Sequence, residues 1–190
     1  MEEILHSELK AIYAFIKGTE PLKATLRSAH NSEGRQESTA EHTWRIMLIA
    51  FALEKYYPTI NMIRLLKMLI IHDLGELVNG DIPAIEQSPH EDKNFAERND
   101  FIEVISPLPE AQRTEMLELL DEYNAVKTPE AKLAKALDKL ETLIQHVQGK
   151  NPHDFDYAFN LTYGKQHTSS DTITSFLRSL VDAETKKNIR

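Results

Sequence analysis

The sequence predicts an all-α fold, and three observations predict it. Apolar residues recur at helical spacing nearly throughout the chain. Only six glycines interrupt 190 residues. No segment shows the strict apolar–polar alternation of a half-buried strand.

Each element follows from that spacing. Ile4, Leu5, Leu9, Ile12, Phe15 and Ile16 form one stripe on a first helix, which ends near Gly18. Residues 19–37 read as a polar loop or broken helix carrying Arg27, His30, Gly34 and Arg35. A second helix opens at Ser38, where Ser38 and Glu41 fit a reciprocal capping box. It runs through Trp44, Met47, Leu48 and Phe51 to about Tyr57, before Pro58. A third runs from about Ile60 to His72 and is apolar on nearly every face, as a central helix should be.

Residues 75–89 read as loop with a short turn, marked by Asn79-Gly80-Asp81 and two prolines. Helices are expected at 91–105 and, past Pro107 and Pro109, at 110–125. Pro129 suits the first turn of the next helix, whose core stripe is Leu133, Leu137, Leu140, Ile144 and Val147. Gly149 and Pro152 end it, and shorter helices follow near 154–163 and 170–187. There is no internal repeat, low-complexity stretch or linker, so the expectation is a compact single domain over 1–190. The helices of 154–187 are expected to pack on the rest.

The totals exclude several functions. A chain of this length buries about 70% of its unfolded surface, and 41% hydrophobic with 27% charged residues is globular composition. The net charge of −8 argues against a nucleic-acid polymer as partner. A small phosphorylated ligand stays compatible, because a local cation reverses the field inside one cleft. With no cysteine, disulfides, zinc thiolates and thiol nucleophiles are ruled out, which suits a cytoplasmic setting. The acidic N-terminus lacks the plan of a signal peptide. No apolar run approaches the roughly 20 residues of a membrane span.

The most informative residues are His72 and Asp73, adjacent at the end of the third helix. Neighbours on a regular helix point about 100° apart, so sharing one ion requires a distorted backbone, and Gly75 permits a helix end there. His42 lies in the first turn of its helix, where the dipole favours the neutral imidazole that a metal needs. Asp138 sits beside a core stripe, where a carboxylate is costly unless a cation meets it. Each also has a plainer explanation: a capping hydrogen bond for His42, a pairing with Lys135 or Lys139 for Asp138. Two imidazoles and two carboxylates make a candidate site for a divalent ion with positions left for water. Mn, Co, Ni, Fe and Mg all suit it to different degrees.

The motifs TAEH, IIHDLGE, NGDIP and AKALDKLE, in that order, resemble the HD-domain metal-dependent phosphohydrolase superfamily. Within it, their spacing is similar to the bacterial 5′-deoxynucleotidase group and its eukaryotic HD-domain-containing relatives. The resemblance spans roughly residues 22–148. It implies a helical fold with the metal at the centre of the helix array, and His42, His72, Asp73 and Asp138 as ligands. It also implies Glu76 and Asp81 as catalytic residues around the attacking water and phosphate, and homodimerisation. It places at Arg27 an arginine that grips phosphate or sugar. Arg35, in the same loop, is a further candidate cation, and Lys93 with Glu97 resembles a pair beside the site in relatives. One position departs: a tryptophan follows that arginine in the bacterial group and helps reject a ribose 2′-OH, whereas Ser28 stands here. The sole tryptophan, Trp44, is expected in the core. The remaining histidines, His6, His30, His90, His146, His153 and His167, show no consistent ligand pattern.

The expected activity is metal-dependent release of phosphate from a (deoxy)nucleoside 5′-monophosphate. Two competitors stay open from sequence. One is hydrolysis of nucleoside di- or triphosphates, or of a phosphodiester, on the same scaffold. The other is a non-catalytic helical regulator that binds nucleotide and metal.

Overall fold

A computed structural model describes residues 2–81 and 93–189, with side chains from residue 96 onward in the second stretch. The chain is built from helices α1 (Glu2–Gly18), α2 (Thr39–Leu53), α3 (Met62–Ile71), α4 (Glu76–Asn79), α5 (Lys93–Ile105), α6 (Glu110–Ala125), α7 (Pro129–Gln148), α8 (Tyr157–Asn160), α9 (Lys165–Thr168) and α10 (Thr172–Asn188). No described helix is long and apolar enough to cross a membrane.

The capping chemistry sets the helix starts. Ser38 accepts from the Glu41 backbone N–H while the Glu41 carboxylate accepts from that of Ser38, which completes the expected capping box. Asn61 caps α3 through the Arg64 N–H, and Thr128 caps α7 through that of Ala131, with Pro129 in the first turn. Helix α6 ends on Val126 in the left-handed region, at φ 51°. Glycine is the usual residue there, because a β-branched side chain crowds its own backbone.

The core gathers around α7, which packs against α2, α3, α6, α9 and α10. Leu133, Leu137 and Leu140 of the expected stripe are buried there with Leu65, Met68 and Leu69 of α3 and Ile46 of α2. One expectation about an apolar face needs correction. Trp44 is 63% exposed. The cap at Ser38 fixes the phase of α2 so that His42, Ile46 and Ala50 point inward, which turns Trp44, Leu48 and Phe51 outward. On α1 no residue is buried; Ile12 and Phe15 pack partly on the core, but Ile4, Leu5, Leu9 and Ile16 are exposed.

The segment 19–37 also differs from its reading as loop or broken helix. After a short 3-10 turn at Glu20–Lys23 it forms an antiparallel hairpin, β1 (Leu26–His30) with β2 (Gln36–Ser38). The strands are too short for alternation to register. Distant groups hold them: Gln145 on α7 donates to the His30 carbonyl at 2.6 Å, and the Lys150 N–H to that of Asn31 at 2.9 Å. At Gly149, just past α7, a Cβ would stand 2.0 Å from the His30 carbonyl oxygen, so only glycine allows this approach.

A candidate metal centre at the end of α3

Helix α3 stops at Ile71, and the chain then tightens. The Leu74 N–H bonds to the Ile71 carbonyl and the Glu76 N–H to that of Asp73, both contacts of 3-10 type. This tightening brings the adjacent side chains of His72 and Asp73 to one centre, with His72 Nε2 3.1 Å from Asp73 Oδ2. Gly75 serves a different purpose from the helix end expected of it. Its backbone is ordinary right-handed helix (φ −61°), but a Cβ would lie 2.8 Å from the Glu97 carbonyl oxygen. Gly75 lets α5 press against the turn that carries the site.

His42 approaches from α2. Its Nε2 lies 3.7 Å from Asp73 Oδ2 and 3.4 Å from Asp138 Oδ1, with the two imidazole rings 5.8 Å apart. His42, His72 and Asp73 each offer one ligand atom, all within 4.8 Å of one another. Asp138 joins through His42. Its second oxygen accepts from the Tyr123 hydroxyl at 2.9 Å and meets Lys139 Nζ at 3.0 Å.

Both imidazoles are oriented from behind. His72 Nδ1 meets the Leu69 carbonyl at 2.8 Å, and His42 Nδ1 meets the Glu141 carboxylate. With Nδ1 so engaged, each Nε2 is aimed inward. Neither buried Nε2 has a hydrogen-bond partner. Two orphaned imidazole nitrogens facing two carboxylates fit a divalent ion by donor chemistry. Glu37, His42 and Glu141 form a second close group, fully buried. Arg45 Nε holds Glu141 at 3.0 Å and Arg27 Nε lies 3.7 Å from Glu37, so this group is a charge-balanced support behind His42.

The electrostatics agree. Burial disfavours charge on His42, yet the Asp138 and Glu141 carboxylates outweigh it and raise the imidazole to about 9. Burial likewise opposes ionisation of Asp73, but His72 and Arg27 hold it below the usual carboxylate range. For Asp138, Lys139 and His42 overcome the same penalty. An anionic centre of this kind favours a cation. Glu76 behaves oppositely: burial, then Asp73 and Asp81, push it up to about 9. Its carboxylate accepts from Thr39 Oγ1 at 2.8 Å.

These residues open onto a cavity of about 620 Å³. Arg27, His72, Asp73, Glu76, Asp81 and Asp138 line it together. Arg27 is buried, with Nη1 3.3 Å from Asp73 Oδ2 and Nη2 3.3 Å from Thr142 Oγ1. Ser28 lines the same cavity. Arg35 does not join them: it sits on the hairpin turn, exposed and bidentate to Glu41. Helix α5 starts at Lys93, whose side chain lies outside the described residues; Glu97, one turn on, lines the cavity.

Several site residues went unrecognised in the sequence. Glu141 follows Asp138 by three residues and was visible within AKALDKLE as a carboxylate on the same face. Lys139 lines the cavity beside Asp138. Lys135, the other lysine expected near Asp138, lines it too, and Tyr123, His30 and His146 join from α6, β1 and α7 with no local spacing to announce them.

Comparison with known proteins agrees with this geometry. The HD-domain family matches residues 19–176. The chain is 32% identical over 136 residues to the 5′-deoxynucleotidase HDDC2 of Danio rerio, covering 69% of this chain and 66% of that protein. It is 30% identical over 168 residues to the 5′-deoxynucleotidase HDDC2 of Dictyostelium discoideum, covering 80% and 88%. A crystal structure from Magnetospirillum magnetotacticum, described as a predicted metal-dependent phosphohydrolase, superposes with a TM-score of 0.80 at 29% identity, covering 96% and 93%. With the family match spanning most of its length, and with the candidate ligands of α2, α7 and the end of α3 brought together, this chain belongs to the HD-domain family.

Proposed function

We propose that this chain is a metal-dependent phosphomonoesterase acting on (deoxy)nucleoside 5′-monophosphates, built as one HD domain. One observation carries the reading: two orphaned Nε2 atoms face two carboxylates, beside a cavity that His72, Asp73, Asp138 and the largely enclosed Arg27 line. The names of the relatives supply the substrate class.

His42, His72, Asp73 and Asp138 would hold the ion. When bound there, a divalent ion would supply Lewis-acid activation of water and offset phosphate charge. Arg27, already turned toward Asp73, binds the phosphate oxygens and fixes the ester in line for attack. Glu76 stands three residues past Asp73 and takes the proton of the attacking water, with Thr39 holding one of its oxygens. Asp81, on the same cavity, assists Glu76 in proton transfer and positions the attacking water. Glu141 and the Leu69 carbonyl fix the two imidazoles, so positioning is set before substrate arrives.

The reading carries two further proposals. One is a homodimer, supported by the apolar residues left uncovered on α1 and α2, Ile4, Leu5, Leu9, Trp44 and Phe51 among them. Light scattering in solution tests it. The other is a cytoplasmic setting, which the absence of cysteine supports.

The test crosses deoxy- and ribonucleoside monophosphates, diphosphates and triphosphates with Mn, Co, Ni, Fe and Mg, using His72→Ala as control. Inorganic phosphate from monophosphates, lost in the variant along with metal, is the expected result. No release from any nucleotide, together with unchanged metal binding by His72→Ala, defeats the proposal. Pyrophosphate from triphosphates alone moves the activity to the di- and triphosphate class.

A further inference from the structure

The cavity is chemically two-ended. Asp138, Thr142 and His146 line it from successive turns of α7, so its floor extends about 12 Å along one helix face. The Asp138 end is charged. Arg27 reaches Thr142 at the middle. One further turn, about 6 Å, leads to His146, where aromatic rings join the lining together with the carboxyl groups of Asp154 and Asp156. Phe155 stands against His146, ring centroids 4.9 Å apart and planes at 74°, and Phe159 also lines the cavity. Burial keeps the His146 imidazole toward its neutral form, and Asn160 Oδ1 holds its Nδ1 at 2.9 Å.

Phe155 and Phe159 are half-buried although they are large and apolar, because they face the cavity rather than the core. Neither aromatic neighbour stacks flat on Phe155: Tyr157 meets it at 62° and His146 at 74°. An aromatic wall opening into a cavity is suited to a planar π-system. A phosphate held at Arg27 occupies only the charged end and leaves this wall uncovered. A pentose is the size of group that would bridge the one-turn gap.

We infer that Phe155, backed by His146, is the platform on which the nucleobase of the substrate stacks. Phe155 is then a specificity-determining residue that separates nucleotides from sugar phosphates without a base. The inference rests on the nucleotidase reading above and adds to it a location for the base. Stacking tolerates every base, because each has a π-face, so this platform selects for the presence of a base over its identity.

The experiment compares 2′-deoxyadenosine 5′-monophosphate with 2-deoxyribose 5-phosphate on the metal-loaded full chain, in wild type, Phe155→Ala and Phe155→Tyr. In parallel, saturation-transfer NMR follows binding of 2′-deoxyadenosine, which has no phosphate to hydrolyse. Wild type should favour the nucleotide. Phe155→Ala should raise its KM on the order of tenfold with kcat nearly unchanged, leave 2-deoxyribose 5-phosphate unaffected and abolish the nucleoside signal. Phe155→Tyr, which keeps the ring, should restore all three. Equal turnover of both substrates by wild type, or equal losses on both in Phe155→Ala, overturns the platform while leaving the phosphatase reading intact. Release of phosphate from neither substrate defeats the phosphatase reading instead. In that case the nucleoside signal decides the platform: loss in Phe155→Ala supports it, and no signal in wild type overturns it.

Discussion

Glu141 lies one turn beyond Asp138 on α7 and meets Nδ1 of His42, so a single helix supplies both a candidate ligand and the group that orients another. Arg45 holds the same carboxylate from the far side at 3.0 Å. Glu141→Gln keeps the shape but removes the charge that fixes the imidazole. Divalent-ion affinity is expected to fall about 10–100-fold. Isothermal titration with Mn checks this, and unchanged affinity would place the orientation of His42 elsewhere.

Glu76 is assigned to proton transfer and not to the ion. Glu76→Gln is therefore expected to lower kcat by a factor of about 10²–10⁴ while bound metal, read by elemental analysis, stays at the wild-type level. Loss of metal in this variant would make Glu76 a ligand.

Asp171 caps α10 by accepting from the Ile173 and Thr174 N–H groups, and it also accepts from the Tyr57 hydroxyl at 2.9 Å. Burial opposes its ionisation, but these hydrogen bonds win and lower its pKa. A depressed carboxyl stabilises the fold above its unfolded pKa, and the contribution fades as pH falls through the folded value. Asp171→Ala should cost about 1 kcal/mol at neutral pH. The gap between variant and wild type should close below the usual carboxylate value of 3.8. Urea titrations at several pH values measure it.

Val126 holds a left-handed backbone that a β-branched residue adopts at a cost. Val126→Gly is expected to stabilise the protein by about 1 kcal/mol. The urea midpoint should rise with the slope unchanged.

Gly75 faces the opposite constraint. A methyl group there would lie 2.8 Å from the Glu97 carbonyl oxygen, and α5 must shift to admit it. Gly75→Ala should lose about 1–3 kcal/mol. It should also lower activity, because α5 presses on the turn carrying His72 and Asp73. Full activity at wild-type stability would show that the turn tolerates the shift.

The sequence made the helices legible because helical spacing and capping are local. Ser38, Pro129 and the α7 stripe announce themselves within one or two turns. The four candidate ligands were legible as motifs, since each sits in a short recognisable string. What sequence spacing could not supply depends on distant partners. The hairpin of β1 and β2 is fastened by Gln145 and Lys150, more than a hundred residues away. Trp44 faces outward because the cap at Ser38 sets the phase of α2, and hydrophobicity alone points the other way. His146 gave no ligand pattern because it reaches the cavity only where α7 lies alongside β1.

Helix α7 carries Asp138, Glu141, Thr142, Gln145 and His146, while Phe155 and Phe159 lie beyond its end. Deleting one residue before Asp138 would rotate all five side chains by about 100° and dismantle the centre in one step. Replacing Phe155 disturbs only His146 among the five, against which its ring stands. Heredity can thus revise what this scaffold accepts, residue by residue, while its reaction is inherited whole or lost.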